Sequence, residues 1–98
     1  MNKDNIFFKC KTSEDFVNVL KKAFGKNYYG YFNQERKTDS VEGRGYCINI
    51  STGGWSENED VINDLKETIF WMLRWHQSTR GGHYEFRCPL RTWKEAIV

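Results

Sequence analysis

The stretch Ser51-Thr52-Gly53-Gly54-Trp55-Ser56-Glu57-Asn58-Glu59 constrains the fold more than any other part of the chain. Ahead of it, Tyr46, Ile48 and Ile50 alternate with Cys47, Asn49 and Ser51, the period-two pattern of a half-buried strand. Behind it, Val61, Ile62, Leu65, Ile69, Met72 and Leu73 recur at helical spacing. Ser56 and Glu59 stand three residues apart at the junction, a capping-box pattern in which each side chain satisfies a free amide of the first helical turn. A strand, a turn on two glycines and a helix start therefore follow one another without a gap.

The remaining elements read outward from this junction. Ile6-Phe7-Phe8-Lys9-Cys10 is short, apolar and β-prone, which predicts a first strand. Thr12 and Asp15 form a second capping-box pattern ahead of Phe16, Val17, Val19, Leu20, Ala23 and Phe24, predicting a helix over residues 13–24 with Gly25 as its stop. The ring-rich run Asn27-Tyr28-Tyr29-Gly30-Tyr31-Phe32 predicts a strand. Residues 33–44 are almost entirely polar and read as a mobile loop, either a solvated hairpin excursion or a flap whose Arg36, Lys37 and Arg44 close over an anion. Tyr84, Phe86 and Cys88 alternate with His83, Glu85 and Arg87 as a last strand that Pro89 stops, and the tail carrying Trp93, Ala96, Ile97 and Val98 docks as a short helix or strand. The order β-α-β-β-α-β predicts an α+β fold, a split βαβ sandwich with a four-stranded antiparallel sheet and two helices on one face.

Ninety-eight residues make a single domain, 1–98, with one modest core. Fifteen basic and thirteen acidic residues leave a net charge of +2, too balanced to argue for nucleic acid on charge alone. Cys10, Cys47 and Cys88 lack any C-x-x-C spacing, which points to reduced core thiols rather than a disulfide framework or zinc ribbon. With no run of transmembrane length and no leader pattern, the expectation is a soluble chain in the cytoplasm, without a membrane partner. Aromatic residues make up 16% of the chain, enough ring surface that some of it is expected to line a ligand site or a subunit contact.

Two polar clusters carry the candidate chemistry: the turn from Ser51 to Glu59, and Ser78-Thr79-Arg80-Gly81-Gly82-His83. Arg80 suits a phosphate, His83 can donate or accept, and the glycines let a ligand approach the backbone. Trp71 and Trp75, four apart on the helix, could stack a purine or ribose ring. An ordinary reading of the same residues makes Gly81-Gly82 a helix stop, Arg80 a dipole-compensating cation and the tryptophans core. A helix of about twenty residues separates the clusters by roughly 30 Å. One chain then cannot bring both to one small ligand, and a homo-oligomer with sites at the subunit boundary is expected, helped by the apolar second half of the helix around Phe70, Trp71 and Trp75. His83, Glu85 and Arg87 also share one strand face, an arrangement that metal-free RNA cleavage uses. A metal site from His83, Cys88, Cys10 and Cys47 has spacing unlike known ligand sets.

The residues Gly53-Gly54-Trp55-Ser56-x-Asn58-Glu59, then Phe70-Trp71, Trp75, Ser78 and Arg80-Gly81-Gly82-His83-Tyr84-x-Phe86, resemble the pattern of a group of small proteins of bacteriophage and prophage genomes. The resemblance implies an accessory protein that counters host defence in the host-cell cytoplasm, by blocking a protein complex or by sequestering a nucleotide signal. The leading expectation is a non-enzymatic, cofactor-free oligomer that holds a small anionic or nucleotide-like ligand. Trp55, Trp71 and Trp75 would stack, Arg80 would pair with charge, Ser51, Thr52 and Asn58 would hydrogen-bond, and Gly53, Gly54, Ser56, Gly81, Gly82 and His83 would complete the site. The alternatives are an inhibitor of a host defence protein and a small metal-free nuclease or phosphodiesterase.

Overall fold

The computed structural model describes residues 5–25, 30–39, 43–54 and 56–97. Helix α1 (Ser13–Gly25) leads into a hairpin of β1 (Tyr31–Asp39) and β2 (Gly43–Ser51). Two helices, α2 (Ser56–Lys66) and α3 (Ile69–Arg74), then lead to a second hairpin of β3 (Trp75–Thr79) and β4 (His83–Pro89) and a short 3-10 turn, Leu90–Thr92. The four strands form one antiparallel sheet in the order β1-β2-β4-β3. The class is the expected α+β with a four-stranded antiparallel sheet, but the strands come from different stretches, giving the element order α-β-β-α-α-β-β.

Residues 6–9 are turns, not the predicted first strand. Asn5 is the reason: its side-chain oxygen accepts from the Phe7 amide (2.9 Å) and its Nδ2 donates to the Asp64 carbonyl (2.9 Å), so the segment curls to bury Phe7. Residues 33–39, expected as loop, form most of β1 and make the hairpin. Polar side chains do not prevent pairing on an edge strand whose other partners are solvent, and Glu35, Arg36 and Lys37 blunt that edge. The strand expected over 27–32 is described only from Gly30 onward, where Tyr31 opens β1; residues 26–29 lie outside the described part, as do 40–42.

The predicted twenty-residue helix is broken at Thr68. Its hydroxyl donates to the Leu65 carbonyl (2.7 Å) and accepts from the Trp71 amide (3.3 Å), closing α2 and capping α3 with one side chain. The chain turns extended again at Trp75, whose φ of −61° and ψ of 129° end α3 and begin β3. Arg74 clamps this corner, with Nε to Ser13 Oγ (3.1 Å) and Nη2 to Thr92 Oγ1 (3.2 Å).

The helices cover the sheet face that carries Ile48, Ile50 and Phe86. Ring contacts form the spine of that core: Phe7 stacks on Phe16 (5.8 Å), Phe16 stacks on Phe70 (4.9 Å), and Phe70 meets Phe86 at a tilt (5.5 Å). The C-terminal stretch is tied to the start of α1, with the Glu14 amide on the Trp93 carbonyl (3.1 Å) and the Ile97 amide on the Lys11 carbonyl (2.7 Å).

The capping box of α1 forms as expected. Thr12 Oγ1 accepts from the Asp15 amide (3.1 Å), and Asp15 Oδ2 accepts from the Lys11 and Thr12 amides (3.1 and 3.2 Å). The Lys11 amide is the largest cause holding the Asp15 carboxyl below its usual value, with the Thr12 contacts adding to it and partial burial opposing them. Thr12→Ala is expected to cost about 1 kcal/mol in a denaturant titration. Because the folded-state pKa is depressed, the contribution of Asp15 is present above the ordinary carboxylate range and lost as pH falls through its lowered value. Asp15→Asn is expected to flatten this part of the acid limb of a stability-against-pH curve.

Candidate ligand-binding site

The broken helix changes where the two glycine clusters lie. The Thr52 amide donates to the Gly82 carbonyl (3.0 Å), and Ser51 pairs with His83 in the β2–β4 register. The clusters therefore meet within one chain, at one end of the sheet, and the expected separation by a long rod is corrected. The reason is the folding back of the α3–β3 segment, which returns the chain to the sheet at Trp75, directly after α3.

Each turn is built by its glycines. Gly53 and Gly54 adopt φ of 65° and 76°, Gly81 and Gly82 of 97° and 82°, the left-handed region that side chains rarely enter. Residues 80–82 form a three-residue hairpin loop between Thr79 and His83. Thr52 is the hub of the other turn. Its Oγ1 accepts from the Gly54 amide (3.2 Å) and its carbonyl accepts from Asn58 Nδ2 (2.8 Å).

The expected site residues divide accordingly. Thr52 and Asn58 are fully buried and hold the turn together, so their side chains face inward instead of toward a ligand; Ser51 is buried as well. Gly53, Gly54, Ser56, Arg80, Gly81 and His83 are exposed at this end of the molecule, and α2 begins at Ser56 with Glu57 and Glu59 in its first turn. The His83 ring lies against Gly81, and Gly82 packs on Thr52. Trp71 and Trp75 stack on each other (6.1 Å), and Trp71 sets its edge to Tyr84 and Phe86 on the helix-covered face. Trp75 stands on β3 instead of on the expected helix, and its Nε1 donates to Ser78 Oγ (2.8 Å) at the start of the second cluster. Trp55 lies outside the described residues.

Beside the paired turns, the sheet face away from the helices is polar. It carries a shallow recess of about 420 Å³, lined by Tyr31, Asn33, Asn49, Gln77, Thr79 and His83 among others. That volume falls in the roughly 300–1,000 Å³ range of small-molecule sites. Of these residues only Thr79 and His83 belong to a candidate cluster of the sequence, and His83 alone was expected to touch the ligand. Residues 33–37 are polar throughout and carry no alternation, and which residues line up across strands depends on register.

His83, Glu85 and Arg87 do share this open face, yet Glu85 is already committed. Arg87 Nε reaches Glu85 Oε2 at 2.7 Å and the Cys47 thiol donates to the same oxygen at 3.3 Å. Burial opposes ionisation of Glu85, but the hydrogen bonds from Arg87 and Cys47 with the charges of Arg87 and His76 outweigh it and hold the carboxyl below its usual value. Cys47 is pushed up by burial and by the hydrogen bond to Glu85 and its charge, so its thiol stays protonated. A carboxylate tied in this way is poorly matched to base catalysis near neutral pH. Cys10, Cys47 and Cys88 are free and buried; burial and then the charge of Asp15 push Cys10 up to about 11, and burial pushes Cys88 up to about 12. Among the described residues no three His, Cys, Asp or Glu side chains gather to hold a metal ion, and no helix is long and apolar enough to cross a membrane.

Compared with known protein families, with curated proteins and with solved structures, the chain shows no significant match to any of them.

Proposed function

We propose that this protein is a non-enzymatic binding protein that sequesters a small phosphorylated, nucleotide-like ligand, in the manner of a phage counter-defence factor. The observation that carries the reading is the Thr52–Gly82 hydrogen bond, which sets both glycine turns side by side at the rim of the polar recess. Arg80 and His83 supply donors for a phosphate there, and the side-chain-free backbone at Gly53, Gly54 and Gly81 admits close approach. Holding rather than cleaving is supported by Glu85, whose carboxylate is paired, and by Cys47, whose thiol is protonated. The counter-defence role rests on the phage-type sequence pattern. Equilibrium dialysis against linear and cyclic nucleotides tests the proposal; retention of one of them with a raised melting temperature is expected. No retention and no thermal shift across the panel would remove it.

With both turns in one chain, a second copy is not required to complete the site. Association instead rests on an exposed apolar run, Met72 (77% exposed), Leu73 (51%) and Trp75 (44%). The same run favours a second reading, an inhibitor that docks on a host defence protein. That reading expects a stoichiometric partner to be recovered with the wild-type chain and lost with Leu73→Asp, and fails when the variant retains the partner.

A further inference from the structure

The recess holds a feature that phosphate binding leaves unused. The strand registers set Asn33 opposite Asn49, Asn49 opposite Glu85, and Glu85 opposite Gln77, one row that crosses all four strands. All four side chains line the recess. The next row, Tyr31, Ser51, His83 and Thr79, lies two residues along each strand, about 7 Å nearer the glycine turns.

The amide row is electrically quiet. Glu85 is its one charged member, and Arg87 and Cys47 already meet that charge. What the row presents is three carboxamides, each a donor beside an acceptor; Asn49 Nδ2 donates to Cys47 Sγ (3.5 Å), which leaves its second amide hydrogen and its Oδ1 for a ligand. Such a row has little to offer a phosphate and is complementary to an uncharged ring whose edge also carries a donor beside an acceptor. Adenine has that edge at N6 and N7, where Asn and Gln pair bidentately; guanine shows two acceptors at O6 and N7, which call for Arg or Lys, and adjacent donors at N1 and N2, which call for a carboxylate, whereas Glu85 already accepts from Arg87 and Cys47. Lys37, the cation that β1 contributes to the recess, is engaged with Glu35 at 3.4 Å.

We propose that Asn33, Asn49 and Gln77 read the base of the bound nucleotide and select adenine over guanine. This rests on the phosphate-binding reading above and extends it. The phosphate sits by Arg80, the sugar over the Ser51–His83 row and the base on the amide row, a span that two sheet rows and the turn provide.

Calorimetric titration of the full chain with AMP, GMP and ribose 5-phosphate tests this. AMP is expected to bind at least about tenfold more tightly than either of the others. The double variant Asn33→Ala, Gln77→Ala is expected to bring AMP down to the ribose 5-phosphate level while leaving ribose 5-phosphate itself unchanged. Gln77 is exposed and Asn33 half-buried on the open face, and an unchanged melting curve confirms that the variant folds. GMP binding as tightly as AMP, or AMP no more tightly than ribose 5-phosphate, overturns the base reading and leaves the phosphate site standing. No binding of any of the three removes both.

Discussion

Phe70→Ala is expected to destabilise the fold by about 3–5 kcal/mol, the largest effect of any single truncation proposed here. Phe70 is fully buried, with Phe16 stacked at 4.9 Å on one side and Phe86 at 5.5 Å on the other. It is the ring through which α1, α3 and β4 meet, so its removal opens a cavity that no single element can close by shifting. In a domain of this size, whose whole stability is about 5–15 kcal/mol, the melting temperature should fall by well over 10 °C, each kcal/mol being worth about 4–8 °C. Phe8→Ala is the control. That ring is 69% exposed, and its truncation should change stability by less than about 0.5 kcal/mol. Equal losses from the two variants would contradict the ring spine as the centre of the core.

The second large effect is expected at Gly82. An alanine there meets two penalties at once: a φ of +82°, and a new Cβ driven into the Oγ1 of Thr52, a buried β-branched side chain with no room to turn aside. Left-handed backbone costs about 1–2 kcal/mol and overpacking about 1–3 more, so Gly82→Ala should lose about 2–5 kcal/mol in chemical denaturation. It should also weaken nucleotide retention, because relief of the clash breaks the Thr52–Gly82 bond that holds the two turns together. Gly54→Ala separates the two penalties. At φ +76° it has nothing within 4 Å of the added carbon and should lose only the backbone part, about 1–2 kcal/mol. Gly82→Ala no worse than Gly54→Ala would mean that the turns are not packed as described.

The parts of the chain with strong local signals were legible. The α1 capping box at Thr12 and Asp15, the alternation of 46–51 and 83–88, and the start of α2 at Ser56 all depend on neighbours a few residues apart, and each stands where the pattern put it. The helix break was not legible, because Thr68 lacks the acidic N3 partner of a capping box and the apolar stripe continues across it. Ile69, Met72 and Leu73 keep the helical period whether or not the axis bends, and Trp71 and Trp75 at i and i+4 describe one helix face as well as a helix followed by a strand. The N-terminal turn escaped notice for a similar reason: apolar content alone suggested a strand, and the decisive residue was Asn5, whose amide reaches Asp64 far along the chain.

By itself the sequence determined the class, the glycine pairs at which the chain turns and the reduced thiols, since these follow from local composition and short-range spacing. Tertiary structure alone decided that the turns touch, that an amide row crosses four strands, and that Trp71 turns toward Phe86 instead of a ligand. Those outcomes depend on strand register and on the direction in which the chain leaves Thr68. The direction is held by the two hydrogen bonds of Thr68 and the packing of Phe70 between Phe16 and Phe86, and the register by pairing between strands far apart in the chain, contacts that no periodicity encodes.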